Sequence, residues 1–361
     1  MWRVYWQARV PRICSPPGAF VIGQSLPLTG SNAAFGLDVK AGVGAFLAAA
    51  AKRSPGIKFA YSVLDDQNTP EAAAANTKKL ISDGCGVLFG YASATIAKPC
   101  IPLAEAAKIP VYAPFTGARS VHRGTSPWVF TARASYDVEA AKFAEFFLAS
   151  SVKRVAVIHY DDAVGVENNA TCVETMQKAG LVVVSVAIQR NAAVPAGTAA
   201  KIAALTPDAV VFTTLAAASA ALIRELRSML RSQVTYAALS FVGMSALQAA
   251  LGDESIGIVV SHVVPQYWKT AIEVVRDYHA ANTEANTGRK PSFAGLEAFI
   301  ALRGLEQALS ASRSNDGTAL AQSLATTKVD LGGVTLDFTK AKYHGGSYVG
   351  SSVILGKNYP E

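Results

Sequence analysis

Apolar positions along the chain fall into two alternating patterns. Short, nearly unbroken apolar runs read as buried strands, and longer stretches with apolar residues three and four apart read as amphipathic helices. The first run, 20–25, is followed by a helix carrying Val39, Val43, Phe46 and Leu47 at helical spacing. A strand over 57–64 leads to Asp65-Asp66-Gln67-Asn68-Thr69-Pro70, where Thr69 is placed to cap a helix and Pro70 fits its first position. That helix runs to about Ser82. The rhythm then repeats: strand 86–89, helix 96–107, strand 110–113, helix 137–150, strand 154–159, helix 165–180, strand 182–188, helix 198–205, strand 209–213, helix 216–230 and strand 235–238. A strand over 256–264, helices over 270–283 and 293–311, and a tail with alternating Val334, Leu336 and Phe338 and a last strand over 348–355 complete the chain.

Strands alternating with helices mean parallel sheets covered on both faces. Two batches of such units, divided near residue 135, predict an α/β protein of two doubly wound parallel-sheet lobes. The length of 361 residues suits two domains. No unbroken apolar run reaches the roughly 18 residues of a membrane helix.

Composition narrows the function classes. Hydrophobic residues make up 51% and charged residues only 16%, enough apolar material for two cores. The net charge of +7 includes Arg3, Arg9 and Arg12 in a first segment without acids. The other basic residues are scattered, without the clusters and interleaved aromatics of a nucleic-acid surface. Residues 1–19 form an extension of unclear status: they lack the apolar core and cleavage site of a secretory signal, and either a misassigned start or an added segment explains them. Cys14, Cys85, Cys100 and Cys172 show no metal spacing; a Cys85–Cys100 disulfide and buried thiols are the two readings.

Enzyme signatures are scarce. No GxSxG, Walker or HExxH motif occurs, and the five His are dispersed. Gly42-Val43-Gly44 begins like a dinucleotide fingerprint but lies within a helix, with Leu47 where the third Gly belongs. Asp65-Asp66 reads as a strand-exit turn and cap rather than a metal site; Asp161-Asp162 after the strand at 154–159 is open in the same way. No cofactor and no metal is expected.

In open α/β sheets, ligands bind outside the carboxyl ends of the strands. The loops there hold Phe35, Tyr91, Ser93, Thr95, Phe115, Thr116, Ser240 and Phe241. Helix N-termini beside them offer free N–H groups to an anion, and the aromatics wall an apolar body. For Ser93 and Thr116, capping and ligand contact are equal alternatives.

Gln24-Ser25-Leu26-Pro27-Leu28-Thr29-Gly30 with Phe35-Gly36, then Leu64-Asp65-Asp66, Phe89-Gly90-Tyr91, Ile109-Pro110-Val111, Pro114-Phe115-Thr116-Gly117-Ala118 and Tyr160-Asp161-Asp162 with Gly165, resemble in order and spacing the type I periplasmic binding proteins. The leucine/isoleucine/valine-binding branch that serves ABC importers is the most similar. The resemblance implies two lobes, 20–133 with 264–329 and 134–263 with 330–361, joined by a three-segment hinge with crossovers near 133, 263 and 330. Such proteins are themselves a standard instance of hinge closure around a ligand. It further implies a monomer that captures a small molecule in the periplasm and presents it to an ABC transporter permease. Ser93-Ala94-Thr95 and Phe115-Thr116-Gly117 match the family's carboxylate-holding loops, and Phe35 an aromatic cleft position. Val164 and Leu215 stand where amino-acid binders tend to carry Tyr, and Ser240 where they carry an acid for the α-ammonium group. A buried ammonium needs an opposing charge, which Ser240 does not supply; Asp162 is the alternative if it points into the cleft. The expected ligand is therefore an aliphatic or aromatic acid. A sensor of the same fold and an α/β enzyme using Asp65, Asp66 or Asp162 are the rival readings.

Overall fold

The computed structural model describes residues 18–356, apart from 31, 123, 125, 231, 232, 313, 315, 341 and 342. The extension and Cys14 lie outside the described residues, except for Gly18 and Ala19.

The apolar run at the start forms β1 (Phe20–Leu26), buried at every position as a parallel strand covered on both faces should be. Then follow α1 (Ala33–Arg53), β2 (Phe59–Asp65), α2 (Pro70–Ser82), β3 (Val87–Phe89), α3 (Ala94–Ala106), β4 (Val111–Tyr112), the single turn α4 (Arg119–His122) and β5 (Val129–Phe130). These strands make one parallel sheet in the order β2-β1-β3-β4-β5. The second lobe continues with α5 (Tyr136–Ala149), β6 (Arg154–Tyr160), α6 (Ala163–Lys178), β7 (Val182–Ile188), α7 (Thr198–Ala204), β8 (Ala209–Thr213), α8 (Ala216–Met229), β9 (Thr235–Ala238), α9 (Met244–Leu251) and β10 (Val259–His262). The chain then returns to the first lobe with α10 (Glu273–Ala285), α11 (Phe293–Ser312), α12 (Gly317–Thr326) and the hairpin β11 (Lys328–Asp330)–β12 (Thr335–Asp337), and ends in β13 (Gly350–Val353). The second sheet runs β13-β10-β9-β8-β6-β7, parallel except for β13 against β10.

Three passages thus link the lobes. The sequence places the third near 330, but Leu331, Val334, Leu336 and Phe338 are buried in the first lobe's core with Tyr112 and Phe130. The return to the second sheet lies beyond Phe338. Five elements escape the periodicity: β5 has only two residues, β11 three, α4 four and α9 eight, and α12 opens on the helix-weak Gly317-Thr318. The start of α12 is nevertheless written in Asp316, whose carboxylate accepts from Thr318 N and Ala319 N.

By length and composition α1 is apolar enough to cross a membrane, although Asp38 and Lys40 interrupt it. In the fold it is a core helix: Val39, Val43, Phe46 and Ala50 are fully buried in one cluster with Val274 and Tyr278 of α10 and Leu296 and Phe299 of α11. Gly42 lies so near Gly295 of α11 that a Cβ there would stand 2.1 Å from the Gly295 oxygen. Cys85 and Cys100 are buried and not joined. The Cys100 thiol donates to Ile96 O at 3.2 Å, and burial pushes the Cys85 thiol up to about 12.

Candidate functional site: a cleft between the lobes

Each lobe contributes its strand exits. In the first lobe, Asp65 at the end of β2 accepts from Leu28 N at 2.9 Å, Thr29 Oγ1 at 2.6 Å and Gln67 N at 2.9 Å, fixing the loop after β1. Asp66 is fully buried and accepts from Ser25 Oγ and Asn68 N. Both acids are loop organisers, and among the described residues no His approaches them through a hydrogen bond. Thr69 stands at the α2 cap position ahead of Pro70, but its hydroxyl donates to Asp66 O instead of capping. Half-buried Phe35 meets Phe115 edge-on at 5.6 Å, and Phe115 meets Phe89 at 5.8 Å.

The expected contacts divide on inspection. Thr95 comes together with Asp161, Asp162, Ala163, Val164, Gln189 and Arg190 around an open cleft of about 510 Å³. Ser93 caps α3 through Ile96 N at 3.3 Å, and Ala94 beside it is buried. Thr116 accepts from Ala118 N at 3.2 Å, and its oxygen lies 3.4 Å from the Tyr136 hydroxyl. Gly117 carries no side chain because Tyr136 occupies that space: a Cβ would sit 2.5 Å from its ring. Tyr91 is a core residue, buried and bonded to Thr77 Oγ1 at 2.7 Å; its large ring follows the strand inward. Leu215 donates its N–H to Tyr160 OH at 3.0 Å, and Phe241 lies against Tyr136 at 5.3 Å.

Ser240 stands in a buried ionic cluster that sequence reasoning missed. Its N–H and its hydroxyl both donate to Glu139 of α5, each at 2.9 Å. Ser261 Oγ also donates to Glu139. Arg133, in the first passage between lobes, donates to Ser240 Oγ and lies 3.4 Å from both Glu139 Oε1 and Glu297 Oε1 of α11. The signal was present: Glu139 lies on the apolar stripe Tyr136, Ala140, Phe143, Phe147, where a charge is out of place without a partner. The acid at this position is therefore spent on protein donors. Asp162 is spent likewise: it caps α6 through Gly165 N at 2.9 Å and accepts from Arg190 Nε at 2.5 Å. Burial pushes its pKa up, but the Arg190 bond and charge and the Gly165 N–H outweigh this and hold it low.

Beneath Thr116 sits a histidine pair. His122 Nε2 is 2.9 Å from Thr116 O, so that nitrogen carries the proton and donates. The ring stacks on His344 at 5.3 Å. Burial, then His344 and Arg133, hold the His122 pKa down at about 3, against the opposing pull of the Thr116 bond. A folded-state value below the unfolded ~6.5 means the unfolded chain takes up the proton first, so stability falls as pH drops below about 6.5. Between pH 6.5 and 5 the expected loss is on the order of 1 kcal/mol per unit. Urea titrations across this window should show the slope, and His122→Gln should remove its share, leaving that of His262 and His344, which burial also holds below the ordinary value; an equal slope in the variant places the effect elsewhere.

A family model described as "periplasmic binding protein" matches residues 20–348. The chain belongs to the periplasmic binding protein family. Solved structures agree over nearly the whole chain. A possible leucine/isoleucine/valine-binding protein from Rhodopirellula baltica is 25% identical, with 96% of each chain covered and a TM-score of 0.86. A substrate-binding periplasmic protein from Ralstonia solanacearum is also 25% identical, covering 94% of this chain and 98% of its own, with a TM-score of 0.85. A solute-binding protein of an ABC transporter from Rhodopseudomonas palustris, solved with 3,4-dihydroxybenzoic acid, shares the fold at 19% identity, 93% coverage of each chain and a TM-score of 0.78. No match is found among curated protein sequences. As a periplasmic binding protein, the chain is of a solute-binding kind, and its family is one of capture proteins, not enzymes.

Proposed function

We propose that this periplasmic binding protein captures a small aliphatic or aromatic carboxylate between its lobes and presents it, in the periplasm, to an ABC transporter permease. One observation carries the reading. The two acids best placed to receive an α-ammonium group, Glu139 and Asp162, are already committed to Arg133, Ser240 and Ser261 in one case and to Arg190 and Gly165 in the other. An ammonium buried here would have to take Glu139 or Asp162 from its present donors, which costs several kcal/mol, and Asp161, the other acid lining the cleft, is solvent-exposed. Phe35, Phe115, Val164, Leu215 and Phe241 favour an apolar body, with Ser93–Thr95 and Phe115–Gly117 on the anion side. The Rhodopseudomonas palustris relative holding 3,4-dihydroxybenzoic acid supports an acid without an amine. Capture needs no bond chemistry: the ligand stabilises the closed arrangement by its differential contacts.

A thermal-shift panel of amino acids, aliphatic acids and aromatic acids tests this. An acid at about 100 times its Kd should add about 2.7 kcal/mol of stability. Leucine binding more tightly than every acid in the panel would sink the proposal.

A further inference from the structure

Among the described residues, the cleft is lined by one cation, and it lies outside the loops expected to hold the ligand. Arg190 follows β7 and lines the cleft with Thr95 of the first lobe and Asp162 and Val164 of the second. Its guanidinium is held on two sides. The Nε edge is bonded to Asp162 Oδ2 at 2.5 Å, and the plane lies over the Tyr160 ring, with Cζ 4.0 Å from the centroid. Tyr160 is itself pinned, because its hydroxyl receives Leu215 N–H at 3.0 Å. Asp162 is pinned by Gly165 N–H on its other oxygen. Among the described residues, nothing accepts a hydrogen bond from the two Nη groups, and the side chain is 27% exposed. The result is a preoriented fork with its donor edge free, and such a fork matches the two oxygens of a carboxylate. Asp162 does not compete for an incoming cation, since both its oxygens are occupied; Asp161 is exposed and screened by solvent.

The geometry points to Arg190 as the residue of the second lobe that grips the ligand's carboxylate, opposite Thr95 at the start of α3. This inference deepens the carboxylate-capture reading and rests on it. It adds a consequence: the anion bridges the lobes, so the charged end of the ligand, and not only its apolar body, drives closure. A neutral amide of the same shape fills the cleft but offers the fork one accepting oxygen and no charge.

The test compares the full chain with Arg190→Gln and Arg190→Lys by calorimetry. The probes are benzoate, phenylacetate, isocaproate and 3,4-dihydroxybenzoate, each with its primary amide, and leucine. For the tightest acid, Arg190→Gln should weaken binding about 10- to 100-fold, the range a hydrogen bond to a charged group supports. Arg190→Lys should lose less, because it keeps the charge without the fork. The amide should lose far less affinity than the acid in the Gln variant, so the acid-over-amide preference collapses. Unfolding midpoints of the unliganded proteins check folding; if the Gln variant does not fold, Arg190→Lys carries the comparison with a smaller loss. Equal acid affinity in native and Gln chains overturns the role of Arg190 and leaves the carboxylate reading standing. Equal losses of acid and amide mean a structural effect and also overturn it. Leucine tightest, or no acid bound by the native chain, overturns both.

Discussion

Replacing Arg133 by Met should destabilise the protein by about 3–5 kcal/mol, because it strands two buried carboxylates without their cation. The guanidinium side chain is 4% exposed, against 0% for Glu139 and 13% for Glu297. The three groups come from the first passage, α5 and α11, so the cluster ties the second lobe to the first. Isolated buried charge is costly, and removing one partner of such a set costs far more than the set contributes in place. The pH dependence identifies the cause. Burial pushes the Glu297 pKa up, Arg133 pulls it down, and Glu139 pushes it up again, with a net rise. Removing Arg133 deletes the one downward influence. A folded carboxyl with a raised pKa binds its proton before the unfolded one, so lowering pH relieves the variant. The deficit should shrink as pH falls from 7 toward the unfolded value of about 4.3. Converting Glu139 and Glu297 to Gln alongside Arg133→Met should recover much of the loss, since an uncharged set carries no stranded ion. Urea denaturation at several pH values measures all of this. A deficit under about 1 kcal/mol, constant with pH, would mean that the carboxylates escape to water in the variant.

The same cluster shows where sequence reasoning reaches and where it stops. Repeated units are local, so their rhythm is legible: β1, β6 and β8 are apolar runs because both faces are covered, and their helices follow at regular intervals. Loop chemistry at the strand exits is legible too, but its use is not. The Ser93 hydroxyl is a cap and the Thr116 hydroxyl is held inside its own loop, whereas Thr95, two residues from Ser93, lines the cleft. Nothing in residue type separates these outcomes; helix phase does. Tyr91 turns inward because neighbouring positions on a strand exit alternate between faces. Arg133, Glu139, Ser240, Ser261 and Glu297 lie far apart along the chain and meet only when both sheets and α11 are in place. The absence of an acid at Ser240 is visible in the sequence, but its significance changes in three dimensions: the acid is present, on α5, and already neutralised.

Gly42→Val should cost about 3 kcal/mol or more, at or beyond the upper end of overpacking penalties, because the obstruction is backbone and not side chain. A Cβ at 42 would stand 2.1 Å from the Gly295 oxygen and 2.7 Å from its Cα. No rotamer change relieves such a contact, so α1 and α11 must separate. Separation opens the packing of Val39, Val43 and Phe46 against Leu296 and Phe299, all fully buried, and interiors at crystal-like density leave no slack for it. Gly295 has no freedom to retreat on its own side, where a Cβ would meet the Tyr278 hydroxyl at 2.2 Å. Gly44, two positions along, separates this cause from helix propensity. A Cβ there meets only the Thr287 methyl, at 3.2 Å, and Ala in a helix interior is favoured over Gly by about 1 kcal/mol. Gly44→Ala should therefore lie within about 1 kcal/mol of the native chain, or be more stable. Thermal and urea unfolding of the two variants decide the matter. A mild Gly42→Val would show that α1 shifts along α11 without opening the core. A severe one assigns Gly42 of Gly42-Val43-Gly44, a run that imitates a nucleotide-binding turn, to the close crossing of α1 and α11 in the first lobe's core.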